Sequence, residues 1–147
     1  MYKHILIPTD GSELAEKAVT SGIQFAREAG ARVTLFTAVP EYRAPSESEI
    51  WGKRIQSLED YARQSRDRAE SALAHGAALA RSAGVDFGTD YAEDDRPARA
   101  IVAAARKHAC DAVFMASHGR RGLSRLVHGS ETLEVISDSD LPTLVYR

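Results

Sequence analysis

This chain of 147 residues has little cysteine and no long hydrophobic run. Its single cysteine, Cys110, cannot form an intramolecular disulfide, and no second cysteine lies nearby to activate it, so we expect a structural thiol. No apolar run reaches the about 20 residues that span a bilayer, and the N-terminal run 5–8 is too short for the apolar region of a signal peptide. We therefore expect a cytoplasmic protein with no membrane partner.

The sequence also lacks a dominant charge. Nineteen Lys and Arg residues against twenty-one Asp and Glu residues give a net charge of -2, so no overall field attracts nucleic acid, and no nucleic-acid partner is expected. A hydrophobic content of 44% is enough for the core of one domain, and no change in composition divides the chain. A single domain over residues 1–147 is the expectation.

Three common functional signatures are missing as well. The chain has no G-x-x-x-x-G-K-[ST] P-loop, no G-x-G-x-x-G dinucleotide fingerprint and no G-x-S-x-G nucleophile elbow. The acidic run Glu93-Asp94-Asp95 precedes Arg96-Pro97, a pattern that the start of a helix explains without catalysis. We predict no catalytic residue, and the dedicated NTPase, dehydrogenase and hydrolase classes lose their usual support.

What the sequence does contain is a regular alternation of strand and helix patterns. Apolar runs predict strands at 4–8, 32–39, 85–91, 111–116 and 142–146. Helical stripes lie between them, with Ser12 as a first N-cap and Gly30 and Gly84 as stops; the long stripe from Trp51 is broken near its start. This rhythm predicts a doubly wound α/β fold, a five-stranded, mainly parallel sheet with helices on both faces.

Several side chains are interpreted as structural. The apolar helical stripes predict that three aromatic residues belong to the core: Phe25, Trp51 and Tyr61. The histidines outside the last loop are interpreted as surface or helix-end residues: His4, His75 and His108.

The most informative segment is Ala116-Ser117-His118-Gly119, followed nine residues later by Gly129-Ser130. It connects the fourth predicted strand to a predicted helix at 131–137. Glycine-bearing loops that lead into a helix N-terminus bind phosphate, because free N–H groups and the helix dipole converge there. An ordinary loop with Ser130 as a helix cap is the alternative interpretation.

Charged residues within this segment allow more than one interpretation. Arg120, Arg121 and Arg125 could attract a polyphosphate, or they could form a solvated face, which we favour for Arg121 and Arg125. No aromatic residue alternates with them, so the stacking platform of a single-stranded nucleic-acid site is missing. His118 and His128 are ten residues apart on a loop, a poor metal-binding pattern, and we predict no protein metal site.

Together these residues resemble the universal stress protein family, small Rossmann-like domains related to the adenine nucleotide alpha hydrolases. The resemblance covers essentially the whole chain. It rests on the opening run 5–12, on Met115, on Ser117-His118-Gly119, on Gly129-Ser130 and on the closing run 141–145. It implies the strand order 3-2-1-4-5.

The nucleotide-binding branch of that family has the pattern Gly, two residues, Gly, nine residues, Gly and Ser or Thr. Here Gly119, Gly129 and Ser130 keep the spacing, and Ala116 occupies the first glycine position. Alanine tolerates the negative φ of a strand end, while its methyl group could crowd a bound ribose.

The resemblance implies an adenine-nucleotide site at the carboxyl edge of the sheet, where strand order reverses. Asp10 would meet the adenosine end, Ala38 would offer backbone groups to the adenine, and Mg²⁺ would be held mainly by phosphate oxygens. The full predicted set is Pro8, Thr9, Asp10, Ala38, Val39, Met115, Ala116, Ser117, His118, Gly119, Arg120, Gly122, Gly129, Ser130 and Glu131.

Three functions remain open from the sequence. The leading interpretation is a stress-response module that binds ATP or another adenine nucleotide with Mg²⁺ and uses occupancy as a signal. The alternatives are a nucleotide-free dimeric interaction module and a slow ATP hydrolase or phosphotransfer protein. The strand Pro142–Tyr146 is short, apolar and expected at a sheet edge, and the resemblance also implies a homodimer through it.

Overall fold

The computed structural model describes residues 1–51, 56–118 and 130–147. Strands and helices alternate along them in the order β1 His4–Pro8, α1 Glu13–Ala29, β2 Arg32–Val39, α2 Glu47–Ile50, α3 Leu58–Ala83, β3 Phe87–Glu93, α4 Pro97–Lys107, β4 Ala112–Ala116, α5 Ser130–Asp138 and β5 Thr143–Tyr146.

The five strands form one sheet in the order β3-β2-β1-β4-β5, and every neighbouring pair is parallel. This confirms the predicted fold and strand order. β1 is buried along its whole length because it lies at the centre of the sheet with helices over both faces. Strand order reverses between β1 and β4, so the connections that follow these two strands leave in opposite directions.

Alternation along the strands divides the core into two layers. Ile5 and Ile7 of β1 join the cluster under α1 and α3, whereas Leu6 joins the cluster under α4 and α5. In β4, Phe114 points to the first layer and Met115 to the second. The sheet therefore lies between two apolar core layers, one on each face, and the polar side chains discussed below lie near the ends of its strands.

Helix boundaries follow the predicted signals. The hydroxyl of Ser12 accepts a hydrogen bond from the Ala15 amide, as an N-cap does, at 3.3 Å. Gly30 and Gly84 end α1 and α3 with φ of 65° and 69°, the left-handed conformation that glycine adopts without strain. Pro97 opens α4 in its first turn, as predicted.

The predicted break near the start of the long helical stripe is present, since α2 ends at Ile50 and α3 begins at Leu58. Two other predictions were wrong. Trp51 is 90% exposed rather than part of the core. The third strand runs two residues later than predicted, because the Val85 amide still bonds to the Ala80 carbonyl behind α3. Hydrophobic periodicity predicts neither the exposure of Trp51 nor the later start of β3, because it does not report where a chain leaves a helix.

The structure agrees with the predictions for Cys110, His75 and His108 but not with the prediction for His4. Cys110 is buried, and burial raises the pKa of its thiol to about 11, which fits an unreactive structural role. His75 is exposed, and His108 follows α4 with its ring on the Asp90 carboxylate. His4, in contrast, is not a surface residue: it is 9% exposed and its ring is hydrogen-bonded to Thr34.

Of the other two aromatic residues assigned to the core, Phe25 lies at the margin of one core layer, whereas Tyr61 belongs to neither layer. Phe25 packs against the α1 and α3 core layer, and Tyr61 contacts the Tyr42 ring while donating its hydroxyl proton to the Pro40 carbonyl.

Among the described helices, none combines the length and apolar character that crossing a membrane requires.

Candidate functional site

A cleft of about 790 Å³ opens at the carboxyl edge of the sheet. Its walls come from the ends of β1, β2 and β4, from α1 and α3 on one face, and from the start of α4 and α5 on the other. This volume is in the usual range for small-molecule sites, and doubly wound sheets bind ligands at this position.

The turn after β1 shapes one side of the cleft. The Thr9 amide donates to the Phe36 carbonyl at 2.8 Å, so the chain that follows β1 stays hydrogen-bonded to β2 as far as Thr9. The Thr9 hydroxyl then accepts from the Gly11 amide at 3.1 Å, and the Asp10 carboxylate accepts from the Ser12 amide at 2.9 Å. Gly11 has a φ of 75°, which permits this tight reversal. Asp10 is thereby held at the rim, directly before α1.

β2 extends beyond β1 at the floor of the cleft. The register between them ends where Pro8 meets Phe36, whereas β2 continues to Val39 and stays paired with β3. Thr37, Ala38 and Val39 therefore face the cleft along the side that β1 no longer covers. Backbone groups on such an edge are suited to hydrogen bonds with the edge of a planar ring.

The end of β4 is fixed to α5. Thr132 is fully buried, and its hydroxyl lies 2.8 Å from the Ser117 carbonyl and 3.3 Å from the Ala116 carbonyl. The Ser117 amide donates to the Tyr146 carbonyl at 2.8 Å, which ties the same point to β5. The start of α5 is consequently anchored at the rim beside β4, and its positive dipole end lies next to the cleft.

An ion-pair network closes the side near α4. Both oxygens of Asp94 bond to Arg99, at 2.8 and 2.9 Å, and this pairing holds the pKa of Asp94 below its ordinary value. Asp95 accepts hydrogen bonds from the Glu41 backbone amide and from the Arg43 guanidinium, both at 3.1 Å. The hydrogen bond from the Glu41 amide is the main reason that the pKa of Asp95 is lowered. These carboxylates stay ionised and paired, so they tie the connection after β2 to the start of α4 rather than serve as proton donors.

Nine of the fifteen predicted site residues line this one cleft: Pro8, Thr9, Asp10, Ala38, Val39, Met115, Ala116, His118 and Glu131. Ser117 and Ser130 do not. Ser117 is buried, and its hydroxyl oxygen is hydrogen-bonded to His118 Nδ1 at 3.1 Å. Ser130 is exposed at the first position of α5. The remaining four, Gly119, Arg120, Gly122 and Gly129, lie outside the described residues, as do Arg121, Arg125 and His128.

The cleft also contains residues that the sequence did not single out. α3 contributes Arg68, Ser71 and Ala72, and α4 contributes Pro97 and Ile101. No sequence motif marks them, because they reach the cleft only through the way each helix packs on the sheet. The spacing of 68, 71 and 72 does place three side chains on one helix face, but periodicity cannot say which face meets a ligand.

Comparison with curated proteins connects this chain to one family. The Universal stress protein family model matches residues 1–147. A universal stress protein of Methanocaldococcus jannaschii, MJ0531, is 31% identical over 150 residues, which cover 100% of this chain and 83% of the relative. A universal stress protein of Thermus aquaticus is 30% identical over 151 residues, covering 100% of both.

Solved structures share the fold. Universal stress protein UspA from Lactobacillus plantarum has a TM-score of 0.79 at 21% identity and covers 99% of this chain and 98% of its own. A universal stress protein in complex with cAMP has a TM-score of 0.70 at 20% identity, covering 99% and 97%. One from Archaeoglobus fulgidus in complex with dAMP has a TM-score of 0.69 at 18% identity, covering 99% and 98%. With its sequence matched from end to end, the chain belongs to the universal stress protein family.

Proposed function

We propose that this protein binds ATP or another adenine nucleotide, together with Mg²⁺, in the cleft at the carboxyl edge of the sheet. Occupancy of the cleft would act as a regulatory signal in a stress response. The observation that carries the proposal is that Asp10, Ala38 and Ala116, which are distant in sequence, line one cleft where strand order reverses. The cAMP and dAMP complexes of proteins with this fold agree with it.

The chemistry of the walls suits the parts of an adenine nucleotide. The Asp10 carboxylate can accept hydrogen bonds from ribose hydroxyls, and the uncovered end of β2 offers backbone groups to adenine. The positive end of α5 adjoins the segment whose Gly119, Gly129 and Ser130 carry the phosphate prediction. Each part of the ligand thus has a matching group.

The donor set suits a metal that arrives with the nucleotide. The described residues contain no group of three or more His, Cys, Asp or Glu side chains placed to hold a metal ion. Asp94 and Asp95, which line the cleft, are already paired with arginines. Mg²⁺ retains waters and needs few protein ligands, so phosphate oxygens would hold most of its coordination sphere.

Ala116 does not force the backbone into a conformation that needs glycine. It lies at the end of β4, and it is not among the described residues with positive φ. Replacement of the first motif glycine therefore introduces only a methyl group at the cleft wall. We expect that this methyl group reduces affinity without abolishing binding.

Calorimetric titration of the purified protein with ATP and Mg²⁺ tests the proposal. We expect a dissociation constant below about 1 mM, which is a binding free energy beyond about -4 kcal/mol. Ala116→Gly should tighten binding by no more than about tenfold, the scale of one relieved contact. The proposal fails if neither protein binds at millimolar nucleotide. Binding by Ala116→Gly alone would favour the nucleotide-free interaction module instead.

We also propose a homodimer through β5, over Pro142–Tyr146. β5 is an edge strand of four residues, all partly buried, and edge strands pair readily with a second copy. Leu133 and Ile136 of the adjacent α5 are each 47% exposed, which adds apolar surface beside this edge. Light scattering at micromolar concentration should give the mass of a dimer, and Ile136→Glu should lower it; a clean monomer for the unmodified chain contradicts the proposal.

A further inference from the structure

The α3 wall of the cleft carries a positive charge, on Arg68, that no sequence motif marks. Arg68, Ser71 and Ala72 lie at i, i+3 and i+4 of this helix, and all three line the cleft. Serine and alanine are small, so the arginine side chain is the long group on this part of the wall. α3 is a 26-residue helix packed on α1, β2 and β3, so Arg68 projects from a rigid element.

The charges of the described lining are strongly unequal. Five carboxylates belong to it: Asp10, Glu16, Asp94, Asp95 and Glu131. Arg68 is the one arginine or lysine among the same lining residues. A nucleotide brings several further negative charges into this cleft. Arg99 and Arg43 already pair with Asp94 and Asp95, so among the described lining residues Arg68 is the cation left to meet the phosphates.

Arg68 also differs from the other arginines near the cleft. Arg43 is paired with Asp95 at 3.1 Å, and Arg99 is paired with Asp94 at 2.8 Å. Arg68 forms no ion pair or hydrogen bond with any residue that the structure describes, although it shares a cleft with five carboxylates. Its guanidinium donors are therefore available to a ligand rather than committed to the fold.

We propose that Arg68 binds the phosphate groups of the nucleotide and gives nucleoside di- and triphosphates an advantage over monophosphates. The inference rests on the proposed function and specifies the ligand class of the same cleft. Guanidinium presents its N–H donors in a planar fork that matches two phosphate oxygens, and such charge-assisted bonds are about twice as strong as neutral ones. A longer phosphate chain offers more oxygens to this fork.

The test compares Arg68→Gln with the unmodified protein, using adenosine, AMP and ATP with Mg²⁺ as calorimetric ligands. Arg68→Gln should weaken ATP about tenfold and AMP about threefold or less, and leave adenosine unchanged, since one charge-assisted contact is lost. Arg68→Lys should retain part of the ATP affinity because the charge remains without the fork. Arg66→Gln is the matched control, since Arg66 is exposed on the same helix but does not line the cleft.

The outcomes separate this inference from the proposed function. If the unmodified protein binds ATP but Arg68→Gln binds it as tightly as Arg66→Gln does, the inference is overturned and the nucleotide site stands. Equal losses for adenosine and ATP also overturn it, because they would mean that Arg68 stacks on the base. If the unmodified protein binds none of the three ligands, the proposed function fails, and the inference fails with it.

Discussion

The two ends of the parallel sheet differ in how far their polar residues are committed to the fold. At the amino end, the His4 ring is bonded to Thr34 at 2.7 Å, and both side chains are buried. The Asp111 carboxylate accepts from the Lys3 and His4 amides at 2.8 and 3.1 Å. At the carboxyl end, β1, β2 and β4 stop around an open cleft, and Arg68 enters it without a described partner.

This difference separates stability from binding. Polar groups at the amino end are paired with each other, so they fix the start of β1 against β2 and β4. At the carboxyl end, Thr132 and Asp94 are paired in the same way, but the donors of Arg68 are of a second kind, because they line the cleft without a described partner. A ligand can use only the second kind, because a buried satisfied pair has no capacity left and breaking it would leave a buried group unpaired.

Removing the Thr34 hydroxyl should have the largest effect on the amino end. Thr34→Val leaves the buried His4 nitrogen without its partner, and we expect the free energy of unfolding to fall by about 2 kcal/mol. Urea denaturation measures this loss. Nucleotide affinity should stay unchanged, whereas Arg68→Gln should show the reverse pattern, with weakened ATP binding and unchanged stability.

Thr89→Val is the matched control for that change. Thr89 is exposed on β3, so the same substitution there should alter stability by no more than about 0.5 kcal/mol. If Thr34→Val weakened ATP binding as strongly as Arg68→Gln does, the amino end of the sheet would also contribute to binding, and the distinction between the two ends would be wrong.

A smaller effect concerns pH. Burial lowers the pKa of His4 from its ordinary value of 6.5, and the charges of Arg32 and His108 lower it further, while Asp111 and a bond to the His108 backbone oppose this. The folded protein therefore binds the His4 proton less readily than the unfolded chain does. This contribution to stability is fully present above pH 6.5 and is lost as the pH falls from there toward the folded pKa.

We expect the free energy of unfolding to fall by about 1 kcal/mol or less between pH 7 and pH 5.5, because one pKa unit corresponds to about 1.4 kcal/mol. Urea denaturation at several pH values measures the slope. His4→Gln should remove this component, and the exposed His75→Gln should retain it. A slope that is unchanged in His4→Gln would mean that another group of the fold titrates here.

The sequence predicted the fold well because its signals are local. Ser12, Gly30 and Gly84 mark helix ends through their own backbone chemistry, and the apolar runs mark strands through their own burial. It failed at Trp51 and at His4, whose exposure depends on distant partners. An apolar stripe does not reveal that Trp51 follows a short helix rather than entering a long one.

The candidate site shows the same division. Asp10, Ala38 and Ala116 could be named from the sequence because they lie at or just after the carboxyl ends of strands, and parallel strands bring these ends to one rim. Arg68, Ser71 and Ala72 could not, since they lie in the middle of a helix without a distinguishing motif. Their position depends on the rotation of α3 about its axis, which core packing sets through Ala69, Leu73 and Ala80.

By itself, then, the sequence determined the α/β alternation, the helix ends and the residues at the carboxyl end of each strand, because these depend on near neighbours. Tertiary structure alone decided that His4 is buried on Thr34 and that Arg68 faces the cleft. The physical reason is that burial and facing are properties of two surfaces in contact, and one stretch of sequence describes only one of them.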